Sequence, residues 1–267
     1  MGVYTDKVIV LTGASQGIGR ALALRLAEQR PRLVLAARDA GALEAVAEEC
    51  EGRGARTLAV PTDVTEAARC RVLVEATLDR FHALDVLVNN AGIGLIARFD
   101  ALVDLSLYER VMRVNYLGSV YPSYFALPHL KRSRGQIVAM ASLAGLAGVP
   151  TRSGYAASKH AMIGFFDSLR IELAPEGVDV TIVCPYFVRS EIRRRSSGPD
   201  GEPLGQSPVR EARVMTAEAC ARLTVSAMEK RQRMLVMTLK GKLGRVARLV
   251  SPALVDAIAR RAVERGR

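Results

Sequence analysis

Residues 7–29 constrain this chain more tightly than any other stretch. Lys7-Val-Ile-Val-Leu-Thr12 is a short apolar run that reads as a buried strand. Gly13-Ala-Ser-Gln-Gly17-Ile-Gly19 follows, and Ala21, Leu22, Leu24, Leu26 and Ala27 continue as a helical apolar pattern. Strand, glycine turn and helix form the architecture of a dinucleotide site. The glycines allow a tight turn and close backbone approach, and the helix N-terminus receives the pyrophosphate. The spacing is Gly-x-x-x-Gly-x-Gly, which differs from the commoner Gly-x-Gly-x-x-Gly.

The same alternation runs on through the chain. Apolar runs suited to buried parallel strands recur at 33–37, 56–60, 84–88, 136–141, 178–183 and 233–237. Helical patterns lie at 17–29, 39–51, 65–80, 105–131, 152–174 and 216–230. Seven strands alternating with helices predict an α/β fold, a doubly wound parallel sheet covered on both faces. Ligands in such sheets bind beyond the carboxyl ends of the strands. Thr12, Arg38, Asp63, Asn90 and Ser142 all fall just after predicted strands. The 267 residues suffice for one large domain, and no linker, repeat or low-complexity tract divides them.

Tyr155 and Lys159 are spaced i, i+4, one turn apart on one helix face, with Ser142 thirteen residues upstream of the tyrosine. A phenol titrates near pH ~10 and is a poor base at neutrality. An ammonium beside it favours the phenolate, which brings the phenol toward proton exchange with an alcohol or carbonyl oxygen. Ser142 lies in a small-residue loop, Met140-Ala-Ser-Leu-Ala-Gly145, where its hydroxyl could hold that oxygen. Such a site handles the proton, so the hydride must come from elsewhere.

Taken together, Thr12-Gly13-x-x-x-Gly17-x-Gly19, Asp63-Val64, Asn89-Asn90-Ala91-Gly92, Asn115, Ser142, Tyr155 and Lys159 resemble the short-chain dehydrogenase/reductase family over about residues 5–192. The resemblance implies a Rossmann domain with a nicotinamide cofactor and a catalytic set of Asn115, Ser142, Tyr155 and Lys159. Asn115 would help hold a water linking the lysine to solvent. It implies cofactor contacts from Gly13, Ser15, Gln16, Gly17, Ile18, Gly19, Arg38, Asp63, Val64, Asn90, Ala91, Gly92, Tyr155, Lys159, Pro185, Val188 and Ser190. Asp63 would lie near the adenine, or cap the helix at 65–80, or both. Asn89-Asn90-Ala91-Gly92 would stabilise the sheet and line the adenosine site.

Cofactor choice turns on Arg38. An acid at the end of the second strand would bind the ribose 2′-hydroxyl and repel a 2′-phosphate. Here Ala37 stands where NAD-specific members of the family carry Asp, and the guanidinium next to it suits a phosphate. The expectation is NADP(H) over NAD(H), with Asp39 a possible neutraliser of Arg38. Cys184-Pro-Tyr-Phe-Val-Arg-Ser190 matches the family's nicotinamide segment with Tyr186 in place of the usual glycine. Residues 189–215, with Arg193, Arg194 and Arg195, occupy the expected place of a mobile substrate lid. Those arginines read either as an acidic-substrate site or as surface charge.

The net charge is +11, and residues 229–267 hold +8 of it. No nucleic-acid motif or aromatic platform accompanies this charge, so nucleic acid is not an expected partner. Residues 1–237 form the expected dinucleotide-binding and catalytic domain, and 238–267 a basic helical extension. Leu243, Val246, Ala247 and Val250 make one apolar stripe, and Leu254, Val255, Ile258, Ala262 and Val263 a second. Ser251-Pro252 breaks between them as a helix start. Such helices lie on an anionic membrane, cover the enzyme's own core, or form a subunit interface. This tail is similar to the membrane-associated hydroxysteroid-dehydrogenase-like branch of the family.

No signal peptide or ~20-residue apolar span is evident, so a cytoplasmic protein, at most peripheral to membrane, is expected. Cys50, Cys70, Cys184 and Cys220 lack metal spacing, and no metal site is expected. The expected activity interconverts an alcohol with a ketone or aldehyde, on a lipophilic small molecule, in a homodimer or homotetramer. The alternatives are epimerisation or dehydration, and a non-catalytic dinucleotide sensor or scaffold.

Overall fold

The computed structural model describes residues 2–189, 195–205 and 214–264, with side chains at 240, 245, 246, 248, 249 and 262–264 excepted. Seven strands form one sheet: β1 Val8–Thr12, β2 Arg32–Ala37, β3 Arg56–Pro61, β4 Val86–Asn89, β5 Gln136–Met140, β6 Asp179–Cys184 and β7 Met234–Val236. Their order is β3-β2-β1-β4-β5-β6-β7, and every pairing is parallel. The expected doubly wound, seven-stranded sheet is therefore present. Its order reverses direction between β1 and β4, and the carboxyl ends open a crevice there.

The helices are α1 Gly17–Ala27, α2 Ala40–Glu51, α3 Ala67–Phe81, α4 Ser106–Met112, α5 Gly118–Ser133, α6 Ser153–Leu173, α7 Ala217–Glu229, α8 Leu239–Val250 and α9 Pro252–Glu264. Strand side chains alternate between two cores, as the two-residue period requires. Ile9 and Leu11 enter the core with Leu22, Leu26, Leu43, Val46 and Met228, on the side of α1, α2 and α7. Val8 and Val10 enter the opposite core with Leu73, Leu130, Met162 and Phe166, on the side of α3, α5 and α6. Polar caps fix three helix starts. Asp39 accepts from Ala42 N–H at α2, Thr216 from Ala219 N–H at α7, and Thr238 from Gly241 N–H at α8.

One local expectation is refined and one corrected. The pattern at 105–131 is helical throughout, and within it a π-helical turn at Arg113–Leu117 lies between α4 and α5. Such a turn carries an extra residue and turns one side chain off the regular face. Asp63 does not cap the next helix, because α3 starts at Ala67 with Glu66 at its N-cap. Asp63 Oδ1 instead accepts from Thr65 N–H at 2.9 Å and from Thr65 Oγ at 2.8 Å, a local turn that holds the loop after β3.

Candidate active site

The crevice at the strand ends is a cavity of about 890 Å³. Its first wall is the glycine turn after β1. Gly13 and Gly17 have φ of 65° and 54°, values that favour glycine. At Gly19, a Cβ would stand 1.9 Å from the carbonyl oxygen of Gly13, so only glycine lets α1 start against the turn. Asn90 ties this turn to β4. Its Nδ2 donates to the carbonyls of Thr12 and Gly13, both at 3.0 Å. Thr12 Oγ1 accepts from the N–H groups of Asn90 and Ala91 at 3.0 and 3.1 Å and donates to the Val88 carbonyl. The strand ends are thus stitched together, and the turn's backbone is left facing the cavity.

This wall fits a dinucleotide: a cradle that a Cβ would fill, at the N-terminus of an eleven-residue helix. Ser15, Gln16, Ile18, Asp63, Val64, Asn90, Ala91 and Gly92 line it with the glycines. Arg38 also lines it and is exposed. Asp39 is engaged in capping α2, and Arg38 has no carboxylate partner among the described residues.

The second wall carries the proton chemistry. β5 delivers Ser142 two residues past its end, in extended backbone, with Oγ accepting from Ala144 N–H. α6 presents Tyr155 and Lys159 one turn apart. Ser142, Tyr155 and Lys159 all line the cavity. Lys159 is buried, and its Nζ donates to the Met140 carbonyl at 2.9 Å and lies 5.9 Å from the centre of the Tyr155 ring. Burial pulls Lys159 down to about 8, against the neighbouring Cys184, which raises it.

Tyr155 is held above the ordinary value of a phenol. Burial pushes the phenol up, opposed by a hydrogen bond with Ser142 and by the charge of Arg152. The cation that acts on Tyr155 here is Arg152, which the motif does not include.

Asn115 sits in the π-helical turn, fully buried behind the cavity rather than on its wall. Its Oδ1 accepts from Ile93 N–H at 2.8 Å, and its Nδ2 donates to the Ile93 carbonyl at 3.0 Å and to Ser158 Oγ at 2.9 Å. Ser158 Oγ in turn donates to the Tyr155 carbonyl at 2.7 Å. Asn115 thereby joins the loop after β4 to the α6 turn that carries Tyr155. A Cβ at Gly92 would stand 3.1 Å from Asn115 Oδ1 and 3.7 Å from Lys159 Nζ, so the missing side chain leaves room between them.

Pro185 and Val188 line the cavity, and Ser190 lies outside the described residues, as do Arg193 and Arg194. Tyr186 walls the cavity beside Phe187. Of the expected lid, residues 195–205 are described. Ser197 exchanges backbone hydrogen bonds with Gly94 and Ile96, and Arg195 and Ser196 line the cavity. The remaining wall was not legible in sequence. Gly241 and Gly244 of α8 and Val255, Ile258 and Ala259 of α9 close it, so the tail is part of the pocket. Leu239, Leu243, Val250, Leu254 and Ile258 also have 54 to 83% of their surface exposed.

The short chain dehydrogenase family profile matches residues 7–200. An 11-beta-hydroxysteroid dehydrogenase of Pinus massoniana is 38% identical over 234 residues, covering 85% of this chain and 65% of the pine protein. An 11-beta-hydroxysteroid dehydrogenase-like 4A of Arabidopsis thaliana is 41% identical over 221 residues, covering 82% and 72% respectively. A crystal structure of a short chain dehydrogenase/reductase from Burkholderia phymatum in complex with NAD is 27% identical. It superposes with a TM-score of 0.82 over 95% of this chain and 96% of that one.

Proposed function

Because the chain belongs to the short-chain dehydrogenase family and is an oxidoreductase acting on CH–OH donors, we propose that it interconverts a ketone or aldehyde and the alcohol of a lipophilic small molecule, preferring NADP(H) to NAD(H). The observation that carries this reading is the facing of Ser142, Tyr155 and Lys159 across one cavity from the glycine turn. A bound nicotinamide cofactor supplies or accepts the hydride. The residues named here supply the proton and the positioning.

Burial keeps the Tyr155 phenol protonated at neutral pH, which equips it as an acid toward a carbonyl oxygen. Ser142, hydrogen-bonded to that phenol, orients the same oxygen. When the proton leaves, the Ser142 hydroxyl and the Arg152 charge stabilise the phenolate. Lys159, near 8, is the adjacent group able to exchange a proton close to neutrality. Asn115 keeps the Tyr155 turn in register through Ser158.

Three supports bear on the finer points. Arg38 without a carboxylate favours a 2′-phosphate. The apolar walls from Ile93, Leu95, Phe187 and α9 favour a lipophilic body, in line with relatives named for hydroxysteroids. Residues 1–237 act as the catalytic domain, residues 238–267 as a basic extension whose α8 and α9 line its pocket, and the assembly is a homodimer or homotetramer. A second reading concerns location. Exposed apolar residues on α8 and α9, amid the +8 charge of residues 229–267, favour a peripheral contact of this cytoplasmic protein with anionic membrane. Among the described residues no helix is long and apolar enough to cross one.

The test is NADPH absorbance against a panel of ketones and aldehydes, repeated with Tyr155→Phe. Turnover should fall at least 100-fold, about the lower end of general acid contributions, while NADPH binding survives. Near-normal turnover in the variant would overturn the mechanism. Binding of NADPH with no turnover of any panel member would favour the sensor or scaffold instead.

A further inference from the structure

Arg152 stands in a place that costs a cation free energy. It is the N-cap residue of α6, a helix of 21 residues with no acid in its first turn. The positive end of the helix dipole disfavours a guanidinium there. The side chain is half-buried, and that burial lowers its pKa. Its guanidinium carbon lies 5.3 Å from the centre of the Phe187 ring, which holds the group against the pocket wall. Among the described residues its guanidinium forms no side-chain hydrogen bond and pairs with no carboxylate, and the groups whose charge acts on it are the phenols of Tyr155 and Tyr186.

The cavity around it repeats the pattern. Arg110 and Arg195 line the cavity as well, as does Tyr186. The acids that line the cavity, Asp39 and Asp63, sit at the adenosine end, in the loops after β2 and β3. A half-buried guanidinium with no carboxylate partner among the described residues, set on the wall of a largely apolar pocket, has the charge and donor geometry that recognise a carboxylate.

We propose that Arg152 is an anion subsite, so that the substrate of this enzyme is an amphiphilic acid: a lipophilic carbonyl or alcohol bearing a carboxylate that pairs with the Arg152 guanidinium, while its oxygen meets Tyr155 and Ser142. This rests on the carbonyl-reduction reading of the cavity and names its substrate class. Phe187 holds the guanidinium against the wall, and Arg110 and Arg195 add positive charge to the cavity that attracts the anion.

The experiment uses two matched pairs, 4-acetylbenzoate and 10-oxoundecanoate, each beside its methyl ester. The wild-type, Arg152→Gln and Arg152→Lys enzymes are compared with saturating NADPH. Arg152 also acts on Tyr155, so Arg152→Gln lowers turnover of acid and ester alike; the subsite is read from the acid-to-ester ratio of kcat/KM. That ratio should fall about 10- to 100-fold for at least one pair, the span of charge-assisted hydrogen bonds. Arg152→Lys should restore part of it. In parallel, binding of each acid to NADPH-loaded Tyr155→Phe enzyme is measured by calorimetry with and without Arg152→Gln, and it should weaken by a similar factor. An unchanged ratio with unchanged acid binding overturns the proposal. So does an equal loss of NADPH affinity in Arg152→Gln, which would assign the residue to the cofactor. Turnover of no probe by wild type counts against carbonyl reduction, and the binding arm still decides the subsite.

Discussion

Lys159 Nζ on α6 is bonded to the carbonyl of Met140, the last residue of β5, and Ser142 follows two residues later. One hydrogen bond thus locks the lysine to the strand that presents the serine. The ammonium is held in a buried site that pulls it down to about 8. It is cationic below that value and neutral above it. If Lys159 exchanges the proton that Tyr155 delivers, the reduction rate should be flat below about pH 8 and fall about tenfold per unit above it. Lys159→Met should slow the reaction at least 100-fold, about the lower bound for acid–base residues, and should remove that limb. A pH–rate profile with the same limb in the variant would assign it elsewhere.

The same residue should cost stability. Its pKa is lower in the fold than the ordinary 10.5, so between about 8 and 10.5 the unfolded chain binds more protons than the native one. Stability from this group is therefore present above 10.5 and lost as pH falls through 8. Lys159→Met, which removes it, should raise the urea midpoint at pH 7 relative to wild type and gain less at pH 10. Equal shifts at both pH values would mean that the ammonium is not strained by burial.

Asn115 predicts the opposite balance. Replacing it with Ala leaves the N–H and carbonyl of Ile93 without their partner and takes one donor from Ser158, whose hydroxyl keeps its bond to the Tyr155 carbonyl. Each stranded group costs about 1–3 kcal/mol, with partial relief from rearrangement, so a loss of about 2–4 kcal/mol is expected by urea denaturation. Asn115→Asp should do no better, since a carboxylate accepts from Ile93 but cannot donate to its carbonyl or to Ser158. A neutral Asn115→Ala would show that the π-helical turn holds its shape without the side chain.

Sequence periodicity carried the sheet because a parallel strand buried on both faces must be apolar throughout, as in Val8–Val10 and Ile137–Ala139. It carried the glycine turn because nothing but glycine fits at Gly19. It could not carry the π-helical turn, since an extra residue in a helix leaves an apolar pattern such as 105–131 nearly intact. Arg152 was silent for a different reason. One arginine three residues before Tyr155 looks like any surface charge until α6 and Phe187 enclose it. The tail's amphipathic stripes announced helices but not their target, because an apolar face fits a membrane, a subunit and its own pocket equally well.

Arg38 should set cofactor choice. It lies on the cavity wall after β2 with no acid at position 37 and with Asp39 occupied by α2. Arg38→Ala should weaken NADPH about 10-fold or more, the scale of a charge-assisted phosphate contact, and NADH far less. Ala37→Asp with Arg38→Ile should turn the preference toward NADH. Equal wild-type affinities for the two cofactors, measured by fluorescence titration, would contradict the assignment.

The tail's outer surface is tested best by substitutions that spare its inner one. Deleting residues 239–267 would open the pocket, because Gly241, Gly244 and Val255 line it, and would confuse binding with catalysis. Leu243 and Leu254 are exposed and are not part of that lining. Each basic residue near an anionic surface contributes about 1 kcal/mol, which salt screens, and exposed apolar side chains add the buried area that charge alone lacks. Wild-type protein should co-sediment with phosphatidylserine vesicles at low salt, more weakly at high salt, and little with phosphatidylcholine. Leu243→Glu combined with Leu254→Glu should abolish sedimentation and leave the oligomer intact in size-exclusion chromatography. If these residues instead meet a second subunit, the doubly substituted protein will elute as a smaller species and the wild type will stay in the supernatant with either lipid. That outcome would move the tail from the membrane to the subunit interface.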